Sequence, residues 1–84
     1  MPRYFMHLHN AELLRDHEGR LFADLEQACA AAREAAGELI AEQIGRGDLV
    51  NLRETLEIVD EDGRTVATFR FADFFLQDDP NADL

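Results

Sequence analysis

The sequence predicts an α+β domain of the form ββ-α-ββ, an antiparallel sheet of three to four strands with one long helix packed on one face. Two observations predict this order. An acidic phrase ending in Gly-Arg occurs at 16–20 and again at 60–64, each time between apolar runs. Because Gly accepts positive φ and Asp side chains bond nearby amides, each copy is predicted to turn a β-hairpin. The Ala-rich segment between the copies carries apolar residues at helical spacing, so one helix joins the hairpins.

The first hairpin is predicted from an alternating segment at the start of the chain. Residues 3–9 alternate between two sets of side chains, which predicts a strand in which Tyr4, Met6 and Leu8 point one way and Phe5, His7 and His9 the other. A shorter strand is predicted over 12–16, and a brief extended segment over 21–23.

The helix is predicted to begin after Asp24, a good N-cap residue, with Gln27 three residues later completing a capping box. Gly45 or Gly47 is predicted to end it after about twenty residues. One apolar stripe should face the sheet, and it contains Leu25, Ala28, Cys29, Ala32, Ala36, Leu39, Ile40 and Ile44.

The second hairpin is predicted from strands over 52–59 and 65–71, joined by the acidic turn at 60–64. Residues 1–76 are expected to form a single compact domain, followed by an acidic, frayed C-terminal tail at 77–84. Because a chain of 84 residues can build only a thin core, pairing with a second copy is an expected source of stability.

Composition excludes several function classes. Eighteen acidic residues face eight basic ones, a net charge of −10, which disfavours binding to nucleic acid or to an anionic membrane and favours a basic protein as partner. The chain lacks Ser and Lys, and no nucleophile–base pair is visible, so we expect no enzyme and no cofactor. One Cys, no apolar leader and no run of about 20 apolar residues predict a cytoplasmic protein.

Apolar residues on both faces of the predicted strands indicate a surface for association, since one helix covers only one face of a sheet. A second candidate is the row of small residues on the helix, off the main stripe. The leading hypothesis is an interaction module that forms a homodimer or binds a protein partner. The interface candidates are Phe5, His7, Val59 and Val66 on the sheet, and Ala30, Gly37 and Ala41 on the helix.

His7 and His9 stand two apart on a predicted strand, so both point to one face, a spacing that suits a metal ion. Glu12, Asp16 or His17 across the hairpin are possible further ligands. The second hypothesis is therefore a metal- or pH-responsive regulator, because His titrates near neutral pH. A third hypothesis is an enzyme whose site is built across a dimer interface.

The opening Met1-Pro2-Arg3-Tyr4-Phe5-Met6-His7-Leu8, the start of the helix at 24–28 and the two acidic phrases occur together in this chain. In these features the chain resembles a family of small bacterial proteins catalogued as a domain of unknown function, DUF6894, from about Met1 to Ala72. The family often has an aromatic residue at the position of Met6. The resemblance implies a compact bacterial domain and carries over no catalytic residue, cofactor or substrate.

Overall fold

The computed structural model describes residues 1–10 and 12–74, for Phe74 the backbone only. The end of the predicted domain at residue 76 and the predicted tail at 77–84 lie outside the described residues. The strands are β1 (Arg3–His9), β2 (Leu13–Leu14), β3 (Arg20–Leu21), β4 (Thr55–Val59) and β5 (Thr65–Arg70), the helix is α1 (Leu25–Gly45), and a 3₁₀ turn follows at Phe71–Phe74.

All strand pairs are antiparallel, in the order β2-β1-β4-β5, and β3 also pairs with β1. The predicted α+β class is confirmed. Among the described residues the sheet has five strands where three to four were predicted, because β2 and β3 are two short segments along the same edge of β1. Within the described residues, no helix is long and apolar enough to span a membrane.

The first acidic phrase does not turn a hairpin, which corrects the prediction for 16–20. Leu14 of β2 lies opposite Leu8, and Arg20 of β3 lies opposite Tyr4. The four residue steps from Tyr4 to Leu8 therefore lie opposite six steps from Leu14 to Arg20. The extra residues bulge away from the sheet before the chain rejoins the same edge of β1. The second copy does turn β4 into β5, with the Asp60 N–H donating to the Arg64 carbonyl oxygen at 2.9 Å.

The helix begins as predicted, with the Asp24 side chain accepting from the Gln27 N–H at 2.9 Å. Arg46 caps its end, and Gly47 follows with φ of 77°. At about 1.5 Å per residue, α1 is about 31 Å long and extends beyond strands of five to seven residues, so Leu25 and Ile44 near its ends stay exposed.

The core lies between α1 and one face of the sheet. Ala28, Ala32, Ala36 and Ile40 are the buried residues of the helix, spaced every four positions. Small alanines let the helix approach the sheet closely, and their partners in the buried cluster are Phe22, Leu56, Ile58 and Phe71.

The other face of the sheet has no described helix or strand packed over it, and we call it the open face. The segment 16–20 contacts Phe5 and His7 at its edge. Burial alternates along β4, where Leu56 and Ile58 are buried toward the helix and their neighbours are only partly buried. Strand register then assigns the remaining positions, because residues directly opposite each other share a face. The open face consists of Arg3, Phe5, His7, His9, Leu13, Leu21, Thr55, Glu57, Val59, Thr65, Thr68 and Arg70.

Candidate functional site

Three predicted interface residues lie together on the open face. Phe5 is directly opposite Val59, and His7 is directly opposite Glu57. Val66 lies elsewhere, because the register shifts between Ile58 and Val59 and leaves Val66 at a β-bulge, where it packs against the core cluster. The helix candidates lie on the other side of the sheet, with Ala30 and Ala41 exposed and Gly37 partly buried.

A hydrogen-bonded network occupies the middle of the open face. His9 Nε2 donates to Glu57 Oε1 at 2.7 Å, and the Thr65 hydroxyl donates to the other carboxylate oxygen. The Thr65 hydroxyl, and then His9, hold the pKa of Glu57 below its ordinary value of 4.5, so Glu57 is ionised at neutral pH. Sequence reasoning missed Glu57 and Thr65, although a Glu between Leu56 and Ile58 is a sign of a charge on the non-core face of a strand.

The bulge at the edge of the open face is organised by Asp16. Its Oδ2 accepts from the Met6 N–H at 3.1 Å, and its Oδ1 accepts from the N–H groups of Gly19 and Glu18 at 3.0 and 3.2 Å. Met6 lies where the neighbouring strand leaves the sheet, so the carboxylate replaces a strand acceptor. Burial would raise the pKa of Asp16, but the bonds from Gly19, Met6 and Glu18 outweigh it and hold the pKa below 3.8.

The two histidines share a face, as the spacing predicted, but they form hydrogen bonds with different partners. His7 Nδ1 accepts from the Asp16 N–H at 3.0 Å, whereas His9 Nε2 binds Glu57. In the part of the chain that the structure describes, no group of three or more His, Cys, Asp or Glu side chains is arranged to hold a metal ion. The described residues therefore bring no ligand set together around His7 and His9.

One end of the open face combines apolar side chains with carboxylates. We call Phe5, Val59 and Leu21 the apolar end; Leu21 lies opposite Arg3 and is 51% exposed. Arg3 ties two acidic segments to this end, since its N–H donates to Glu61 Oε1 at 2.6 Å and its guanidinium donates to the Glu18 carbonyl oxygen at 2.7 Å. Gly19 of the bulge packs against the Phe5 ring, so Phe5 and Val59 are partly exposed and Leu21 is exposed. Apolar groups and negative charge are thus adjacent at this end.

Replacing Asp16 by Asn should lower the free energy of unfolding by about 1–2 kcal/mol at pH 7, because an amide N–H would meet backbone N–H groups that need an acceptor. Since the native pKa of Asp16 is lowered, its stabilisation is complete above the ordinary value of 3.8 and is lost as the pH falls through the native pKa. The gap between parent and variant should therefore close in acid, which urea unfolding from pH 7 down to about pH 2 measures.

Asp62→Asn, in the exposed second turn, is the control for that experiment, since the Asp62 carboxylate accepts no hydrogen bond from the described residues. It should change stability by less than about 0.5 kcal/mol. A gap between parent and Asp16→Asn that stays constant into acid would contradict the assigned role of the ionised carboxylate.

Comparison with known proteins gives a family but no activity. No curated protein matches the chain, and no solved structure does. A family model described as a domain of unknown function, DUF6894, matches residues 3–72, which includes both acidic phrases, α1 and the whole open face. The chain therefore belongs to the DUF6894 family.

Proposed function

We propose that the protein is a non-catalytic interaction module whose open face binds a basic protein. The observation that carries the proposal is the apolar end, where Phe5, Val59 and the exposed Leu21 lie beside the acidic segments that Arg3 holds in place. Protein interfaces characteristically combine an apolar centre with a polar rim. A bacterial cytoplasmic setting is part of the proposal, and the single free Cys29 suits a reducing compartment.

Charge supports a basic partner over a neutral one. A net charge of −10 on 84 residues attracts cationic proteins over a Debye length and speeds their association. Glu57 adds a negative charge at neutral pH near the middle of the open face, since Thr65 and His9 hold its pKa below the ordinary value. An arginine-rich segment that also carries apolar side chains would pair with the negative charge and pack against the apolar end.

A synthetic peptide of alternating Arg and Leu is a suitable probe. Added to isotope-labelled protein, it should shift the NMR amide signals of the apolar end most, those of Phe5, Leu21 and Val59. Raising the salt from about 0.1 M to about 1 M shortens the Debye length from about 10 Å to about 3 Å, so the apparent affinity should fall steeply.

A matched pair of variants separates the open face from acidity in general. Leu21→Ser removes an exposed side chain of the apolar end and should weaken peptide binding, whereas Leu49→Ser, at a site 96% exposed outside the strands and the helix, should not. Shifts concentrated on Glu34, Glu38 and Glu42 of α1, with both variants binding equally, would show that the helix attracts the peptide and would refute the proposal.

A further inference from the structure

The two edges of the sheet are built differently. The edge formed by β2 and β3 consists of two-residue segments interrupted by the bulge that carries Asp16 and Glu18, which blocks the approach of another strand. The edge formed by β5 runs for six residues, Thr65–Arg70, and its bulge at Val66 lies near the start, so the stretch from Ala67 to Arg70 is regular. This strand has no Pro, no acidic residue and three β-branched residues. Such an edge is a template for strand pairing.

Backbone alternation shows which groups of β5 point outward. The Phe71 N–H donates to the Glu54 carbonyl oxygen on the β4 side, and hydrogen bonding alternates along a strand. Ala67 and Phe69 therefore also bond toward β4, and the N–H and C=O groups of Thr68 and Arg70 point away from it. Among the described residues, none pairs with this outer side of β5.

We propose that β5 pairs antiparallel with β5 of a second copy, with a two-fold axis at Thr68. This register places Thr68 opposite its own equivalent, and Phe69 opposite Ala67 of the second copy, a large side chain beside a small one. Phe69 is the part of the core nearest this edge, partly buried and covered on one side by Arg33, 5.5 Å from its ring centroid. A second copy would shield its remaining surface.

The charged residues at the ends of β5 favour the antiparallel orientation of the second copy. Antiparallel pairing brings Arg64 of one copy to the Arg70–Asp73 ion pair of the other, so a carboxylate lies at each end of the paired strands. A parallel pairing would instead set Arg64 and Arg70 beside their own equivalents. Because the axis is perpendicular to the sheet, both open faces lie on one side of the pair and both helices on the other. This pairing does not depend on the proposed basic partner. It would place the two open faces of the dimer side by side.

Cross-linking tests the register directly. In a Cys29→Ala background, Thr68→Cys places two thiols across a hydrogen-bonded pair whose Cα atoms are about 5.5 Å apart, within reach of a disulfide. Arg70→Cys is the matched control on the same edge, because its two copies would lie about 13 Å apart. Mild oxidation should give covalent dimer from the first variant and little from the second; equal yields from both would overturn the proposed register.

Sedimentation of two further variants tests whether the outward N–H carries the pairing. Thr68→Ala keeps this N–H and should stay dimeric, whereas Thr68→Pro removes it without breaking a bond to β4 and should be a folded monomer. Its Tm should match that of the parent at dilutions where the parent is also monomeric, because dimer formation raises the apparent Tm only of the paired state. A parent that is monomeric at about 1 mM, or a Thr68→Pro variant that remains dimeric, would overturn the proposal. Peptide titration of the Thr68→Pro monomer then tests the open face independently.

Discussion

Replacing Phe71 by Ala should lower the free energy of unfolding by about 3–5 kcal/mol. Among the residues that the structure describes, Phe71 and Ile58 are the largest side chains that are fully buried. Both are 0% exposed, in a core to which the helix contributes mainly alanines. Few large side chains are available to fill the cavity that truncation of Phe71 would leave. Because a small domain has only about 5–15 kcal/mol of stability in total, this loss is a large fraction of it.

Urea unfolding followed by far-UV circular dichroism measures this loss. Leu49→Ala is the control, since Leu49 is 96% exposed and its truncation should cost less than about 0.5 kcal/mol. Phe71→Leu keeps most of the side-chain volume. Its loss of stability should lie between those of Phe71→Ala and Leu49→Ala. A cost below about 1 kcal/mol for Phe71→Ala would mean that Phe71 does not anchor the end of β5 in the core.

Gly19→Ala should cost about 2–5 kcal/mol, from two effects that act together. Gly19 has φ of 66°, a conformation that costs about 1–2 kcal/mol for a residue with a Cβ. The added Cβ would also lie 2.8 Å from the Tyr4 carbonyl oxygen and 2.9 Å from the Phe5 ring. The bulge would have to move away from β1, and the Gly19 N–H would lose its bond to Asp16.

Gly63→Ala is a close control, because Gly63 has φ of 82° and no atom within 4 Å of its Cβ position. It measures the backbone strain alone, about 1–2 kcal/mol. Thermal and urea unfolding of both variants should show Gly19→Ala as clearly the less stable. Equal losses would indicate that the bulge yields without cost, and that Gly19 is required only for its φ.

Much of the fold was predictable because the responsible interactions are local. Alternation marked β1, the Asp24 cap and the glycines after residue 44 marked both ends of α1, and the turn at 60–64 joined β4 to β5. Each of these signals depends on residues within a few positions of one another. For the same reason His7 and His9 could be assigned to one face, and Phe5 with them.

The partners of those residues could not be predicted from local pattern. Glu57 reaches His9 from 48 positions away, and the Thr65 hydroxyl joins them only because β4 and β5 pair with a bulge. Likewise Val66 was predicted on the open face with Phe5, but the register shift at the bulge packs it against the core. Register is a property of two strands, and neither strand specifies it alone.

The sequence by itself determined the helix, the alternation of the strands, the acidic charge and two Asp-Gly segments able to bind their own backbone. Tertiary structure decided what each segment became. Both have an Asp that accepts backbone N–H bonds and a Gly with positive φ, yet 60–64 reverses the chain and 16–20 bulges from one edge of β1. The local hydrogen bonds are compatible with either course, so the choice depends on which strand is available to pair across the sheet.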